Sequence, residues 1–164
     1  MFSKVQVTSL LLSFFLCSCA ENGTRQLSEN EAQKEVELKE SMHRVQMGVE
    51  HYAADHGSDK YPTELNNEFK SYLPGGVEGS EPAAFGTINP FTGKNEFITV
   101  NNSLKDLHSA RFGPRIALKP GEILYCPING GSAYLLLGGG VDGKALPDDK
   151  NPGQVLVLSN IDEY

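Results

Sequence analysis

LSENEAQKEVELKESMHRVQMGVEHYAADHG, residues 27–57, decides the fold. Ser28 followed by Glu31 is a capping box, in which the serine hydroxyl takes one orphan amide and the glutamate reaches back for another. Leu27 and Ala32 occupy the staple positions on either side. Leu38, Met42, Val45, Val49, Tyr52 and His56 recur at alternating steps of four and three, the spacing of one helix face. Acidic Glu29, Glu31, Glu35 and Glu37 crowd the first half, while His43, Arg44, His51 and His56 lie towards the end, a polarity that suits the helix dipole. Gly57 supplies a left-handed cap, and Pro62 follows shortly after. The stretch predicts a helix over residues 28–56. Continuing the apolar register backwards from Leu38 lands on Glu35 and Glu31, so the expected N-terminal half is a polar stalk standing clear of the domain.

Working outward to the N-terminus, Lys4 precedes an apolar run from Val5 to Leu16 that is too short for a comfortable membrane span. Leu16-Cys17-Ser18-Cys19 resembles the lipobox of bacterial lipoproteins. The resemblance implies a signal peptide over residues 1–18, diacylation (palmitate-type chains) of Cys19 as the mature N-terminus, and a tether over 19–27. An ordinary secretory signal cleaved near Ala20, or an uncleaved anchor, is the other reading. By the same resemblance to bacterial lipoproteins, alanine rather than aspartate at position 20 implies the outer membrane in a cell that has one, with the rest of the chain facing the periplasm or the cell exterior. Cys17 leaves with the signal and Cys19 is lipidated, so Cys126 stands alone and the mature chain has no cysteine pair for an internal disulfide.

The 164 residues carry a net charge of −7, which argues against a nucleic-acid partner. Without the signal, thirteen basic residues face twenty-one acidic ones, a charge of −8. Seventeen glycines and nine prolines indicate a turn-rich body containing β-structure. Downstream of the helix, Phe69 to Leu73 suggests a further helical turn, and Pro74 to Pro82 reads as loop. Phe97 to Val100 reads as a strand, and Arg115 to Leu118 as a weak one. Glu122 to Cys126 alternates as a strand closed by Pro127, Asn129-Gly130-Gly131 is turn chemistry, and Ala133 to Leu137 returns. A glycine- and aspartate-rich loop then leads to an apolar strand, Val155 to Leu158. The expectation is an α+β domain, residues 28–164, with the long amphipathic helix packed on one face of a C-terminal antiparallel sheet that lies mainly within 96–159. Met42, Val45, Val49 and Tyr52 are expected to meet Tyr125, Tyr134, Leu136 and Val157.

The helix ending at Gly57, Tyr61-Pro62, Asn89-Pro90-Phe91-Thr92-Gly93-Lys94, and Gly131 to Gly138 followed by Val141-Asp142-Gly143 come in that order. Together they resemble the soluble domain of type IV pilin-like proteins, most closely the major pseudopilin of type II secretion, over roughly Leu38 to Leu158. The resemblance implies a pilin-like head. The family's prepilin cleavage site and apolar N-terminal helix are missing, however, and the lipobox stands in their place. A lipid-anchored head that associates with a secretion or pilus apparatus is therefore expected, not a filament subunit. The family also binds calcium in the loop joining its last strands, which implies a site at Asp142, with Asp148 and Asp149 as a second acidic cluster. A solvated Gly/Asp loop is the competing account of the same residues.

Catalytic motifs are not apparent. The four histidines make no metal pattern, Ser109 and Ser132 lack a nucleophile elbow, and Gly138-Gly139-Gly140 is no phosphate loop. A non-catalytic envelope lipoprotein is the leading expectation, with a small-ligand or calcium-binding envelope module as the alternative.

Overall fold

The computed structural model describes residues 27–58, 60–74, 87–96, 98–113 and 116–161. Helix α1 runs from Glu29 to His56. Its start is the capping box: the Glu31 amide donates to Ser28 Oγ at 3.3 Å, and the Ser28 amide to Glu31 Oε2 at 2.9 Å. Its end is set by Gly57, whose φ of 100° and ψ of 130° leave the left-handed helical region for a conformation that only glycine adopts readily. Two short helices follow in the chain, α2 (Asn67–Tyr72) and, much later, α3 (Leu107–Arg111). The side chains of Asn66 and Asp106 cap them by accepting the amides of Phe69 and Ser109.

Among the described residues there are six strands: β1 (Thr87–Ile88), β2 (Asn95–Glu96), β3 (Thr99–Val100), β4 (Ile123–Ile128), β5 (Ala133–Gly138) and β6 (Leu158–Ser159). β1 and β2 form a separate small hairpin. The main sheet has the order β3-β4-β5-β6, with β3 parallel to β4 and the other neighbours antiparallel. Expected Phe97 to Val100 thus shrinks to Thr99–Val100 among the described residues, while Ile116 to Leu118 forms no strand. β4 passes through Pro127 instead of stopping before it. The Tyr125 carbonyl takes the Asn101 amide on the β3 side. Two residues on, Pro127 turns to that same edge beyond the end of β3, where no amide is needed.

The architecture is α+β, with α1 packed on the sheet, as the sequence leads one to expect. Leu38, Met42, Val45, Val49 and Ala53 are buried against Ile123, Tyr125, Tyr134 and Leu136. β5 runs antiparallel to the helix. Gly138 sits by Met42 and Leu38, and Tyr134 by Gln46 and Glu50. At Gly48 the helix touches backbone: an added Cβ would lie 2.4 Å from the Tyr72 carbonyl oxygen at the end of α2.

Three expectations are corrected here. The polar stalk is shorter than expected: residues 28–33 are largely exposed, but Glu35 is 5% exposed, and its Oε1 accepts the Val141 amide at 3.1 Å. A carboxylate can enter this seam because a backbone donor from the far end of the sheet meets it. Next, β4 does not alternate between core and solvent, since all six of its residues are buried. Leu124, Cys126, Leu135 and Leu137 face a second core, covered by Leu104, Ala110 and Leu118. Last, Val157 belongs to that second core and not to the helix side. β6 is offset towards Leu158–Ser159, and Leu136 pairs with Leu158; neighbouring strand residues point to opposite faces, so Val157 looks away from α1.

The stretch after β5 is folded although it holds little regular structure. Gly139 bridges to Ala145 and Pro147 to Val155. Leu146 donates its amide to Gly138 O, accepts that of Leu156, and buries its side chain in the helix-side core. Gly139 has to be glycine for space, because a Cβ would lie 2.1 Å from the Lys119 carbonyl oxygen.

Candidate functional site

Cys19, the expected acylation site, lies outside the described residues, as do the signal segment and most of the tether. The described residues begin at Leu27, immediately before the cap of α1. No helix among the described residues is long and apolar enough to cross a membrane.

The three aspartates of the expected calcium loop are not brought together. Asp142 Oδ1 accepts the Lys144 amide at 3.0 Å, and its other oxygen lies 3.6 Å from Lys144 Nζ. Asp148 accepts the Lys150 amide and the Asn151 side-chain amide, each at 2.9 Å. These bonds hold its carboxyl below the usual range, that to Asn151 most strongly. Asp149 pairs with Lys39 of α1. Among the described residues no group of three or more His, Cys, Asp or Glu side chains could hold a metal ion. Each carboxylate instead satisfies a nearby donor, which is the ordinary work of aspartate in turns.

Two open depressions flank the same segment. One, of about 310 Å³, lies between α1 and the loop, with Lys39, His43 and Lys150 beside Pro147, Leu156 and Leu158. The other, of about 520 Å³, is lined by small and apolar residues including Ile116, Ala117, Ala145 and Val155.

Two polar clusters lie along α1 that the sequence did not reveal. In the first, Glu50 accepts the hydroxyl of Tyr134, which is fully buried, and that of Tyr61 at 3.3 Å. Gln46 Nε2 donates to the same Tyr134 hydroxyl at 3.2 Å. Burial, then the bond to Glu50, pushes the Tyr134 hydroxyl far above its ordinary pKa, so it acts only as a neutral donor and acceptor. Neighbouring Tyr125 donates to the Pro62 carbonyl at 2.7 Å. These phenols pin the segment after α1 to the sheet, and Tyr61 is further held by the bond from its amide to Gly131 O in the β4–β5 turn. The second cluster closes the helix end, where His56 reaches Glu68 of α2 and Tyr72 donates to Asp55 at 2.9 Å. Helical spacing alone could have suggested Gln46 and Glu50 as an i, i+4 pair, but not the tyrosines they meet.

Cys126 is a buried free thiol whose pKa is pushed up to about 11, chiefly by desolvation. A protonated thiol of that kind packs as a small apolar group. Asn89, buried at the head of the Asn-Pro loop, accepts the amides of Phe91 and Thr92 and donates to the Pro120 carbonyl and to Glu96. It works as a joint between the small hairpin and the start of β4. No family model matches the chain, and neither a curated protein nor a solved structure does.

Proposed function

We propose that the chain is a non-catalytic lipoprotein of the cell envelope, anchored through Cys19, whose pseudopilin-like head associates with a secretion or pilus apparatus. The observation that carries this reading is the shortness of the link between the proposed anchor and the fold. Helix α1 is capped at Ser28, so eight residues separate Cys19 from the cap. Even fully extended, they span at most about 30 Å. The start of α1 is therefore held within about 30 Å of the proposed anchor, and the helix itself is roughly 42 Å long over 28 residues. Such a geometry suits a docking module of a membrane-bound machine. The positions that carry the pilin resemblance support the reading in a modest way. Gly57, Tyr61-Pro62, Asn89 and Gly131 each serve as a joint between elements, so they specify a fold and not a reactive centre.

Labelling with a palmitate analogue tests the anchor: the wild type should be marked and Cys19→Ala unmarked, and a labelled Cys19→Ala protein refutes it. Crosslinking followed by capture from envelope membranes tests the association. Components of a secretion or pilus machine are expected in the eluate; an eluate without them refutes the docking role.

A further inference from the structure

His56 is the last residue of α1, and both of its ring nitrogens face oxygen acceptors. Nδ1 lies 2.7 Å from the Tyr52 carbonyl oxygen, and Nε2 lies 2.8 Å from Glu68 Oε1. A carbonyl and an ionised carboxylate cannot donate, and a neutral imidazole carries only one N–H. Both contacts are hydrogen bonds only when the ring is an imidazolium. Its other surroundings agree. The ring stacks on Tyr52 with centroids 4.1 Å apart and planes 12° from parallel, which sets a cation on an aromatic face. Tyr52's carbonyl belongs to the helix C-terminus, the negative end of the dipole.

The charged and titratable groups around the ring come from every element packed there. Asp55 and Tyr52 belong to α1, and Glu68 and Tyr72 to α2, whose Tyr72 ring presents its edge at 6.2 Å. Glu64, on the connecting segment, adds to the field on Tyr52. The charged ones among them are all carboxylates. His56 is accordingly held above its ordinary value, first by the bond to the Tyr52 carbonyl and next by that to Glu68.

We propose that His56 is a proton-operated clasp: as an imidazolium it ties α2 to the end of α1, and on losing its proton it drops one of its two bonds and loosens α2 while the sheet stays folded. A six-residue helix has no stability of its own and depends on such ties. Phe69 buries one side of α2 in the core, whereas the His56–Glu68 bond holds its first turn. The sign follows from linkage. A group whose pKa is raised by folding contributes stability that is complete below the unfolded value, about 6.5 for histidine. That stability is lost as pH rises through the folded value. The clasp is therefore closed in mildly acidic surroundings and opens on the alkaline side. This inference goes beyond the envelope role and stands whether or not Cys19 is acylated.

The test uses the full chain in detergent micelles between about pH 5.5 and 9, a range that brackets a raised histidine. NMR follows the histidine ring protons, with His56→Gln identifying the His56 signal. Hydrogen exchange, corrected for its intrinsic pH dependence, follows the amides of Phe69, Lys70 and Leu73. The expected result is a His56 midpoint above that of free histidine and a severalfold loss of α2 protection at the same midpoint. Glu68→Gln should move both to lower pH, and β4 and β5 should stay protected throughout. A midpoint at or below the free value overturns the proposal. So does α2 protection that stays flat through the titration, or that falls only together with the sheet.

Discussion

Glu35→Ala separates a helix whose polar half stands clear from one that is docked from Glu35 onwards. On a solvated stalk the change would cost no more than about 0.5 kcal/mol, as surface substitutions do. In the structure the carboxylate is 5% exposed and accepts the Val141 amide at 3.1 Å, so truncation removes a charge-assisted bond and leaves that amide without its acceptor. Bonds to charged groups contribute about 1.5–3 kcal/mol net. Alanine returns a few tenths through its helix propensity. The balance is a loss of about 1–3 kcal/mol, which with an ordinary urea slope lowers the unfolding midpoint by about 1 M. Glu37→Ala is the control, because Glu37 is exposed and among the described residues meets only a long contact from Gln33 at 3.4 Å. Its stability should stay within about 0.5 kcal/mol of wild type. Urea titrations followed by far-UV circular dichroism give both values. Equal midpoints for the two variants would refute the docking of α1 at Glu35.

One further substitution and one chemical treatment probe the packing. Gly48→Ala should lower the melting temperature in calorimetry even though alanine is favoured over glycine in helices by about 1 kcal/mol. Its Cβ would lie 2.4 Å from the backbone oxygen of Tyr72, and overpacking against backbone costs about 1–3 kcal/mol; a more stable variant would contradict the close approach. Cys126, with its thiol pushed up to about 11, is almost wholly protonated near pH 8 and buried in the second core. Mass spectrometry after treatment with a thiol reagent should find it unmodified in the native chain and modified in urea, and rapid native modification would speak against the buried placement.

How much of this was legible in the sequence depended on range. The capping box, the 4-3 spacing of Leu38 to Val49 and the Asn-Gly-Gly turn are local signals, and each became the element it announced. Glu35 misled because the donor that admits it to the core comes from Val141, which no local pattern connects to α1. Val157 misled through parity. A boundary shifted by one residue sends a strand side chain to the other face, and a short strand gives little periodicity to fix the count. The stretch after β5 looked like open loop because single bridges at Gly139 and Pro147 have no period at all. Its one large apolar residue, Leu146, was the available hint of burial. The same isolation explains the aspartates: acid near glycine suggests a cation site, but only geometry shows whether the carboxylates converge.

The arrangement of the main sheet also bears on solubility. β4 and β5 are the stickiest segments in the described chain, apolar on both sides and flanked by little charge, the composition that favours pairing between molecules. They occupy the two central positions, so both of their backbone edges are taken up for part of their length within the molecule. The outer positions fall to β3 and β6, two residues each, which offer a visiting strand almost no ladder to extend. The folded chain is thereby blunted against edge-to-edge association. The hazard moves to the unfolded chain, where Ile123 to Gly138 must close into its own hairpin before it meets another copy.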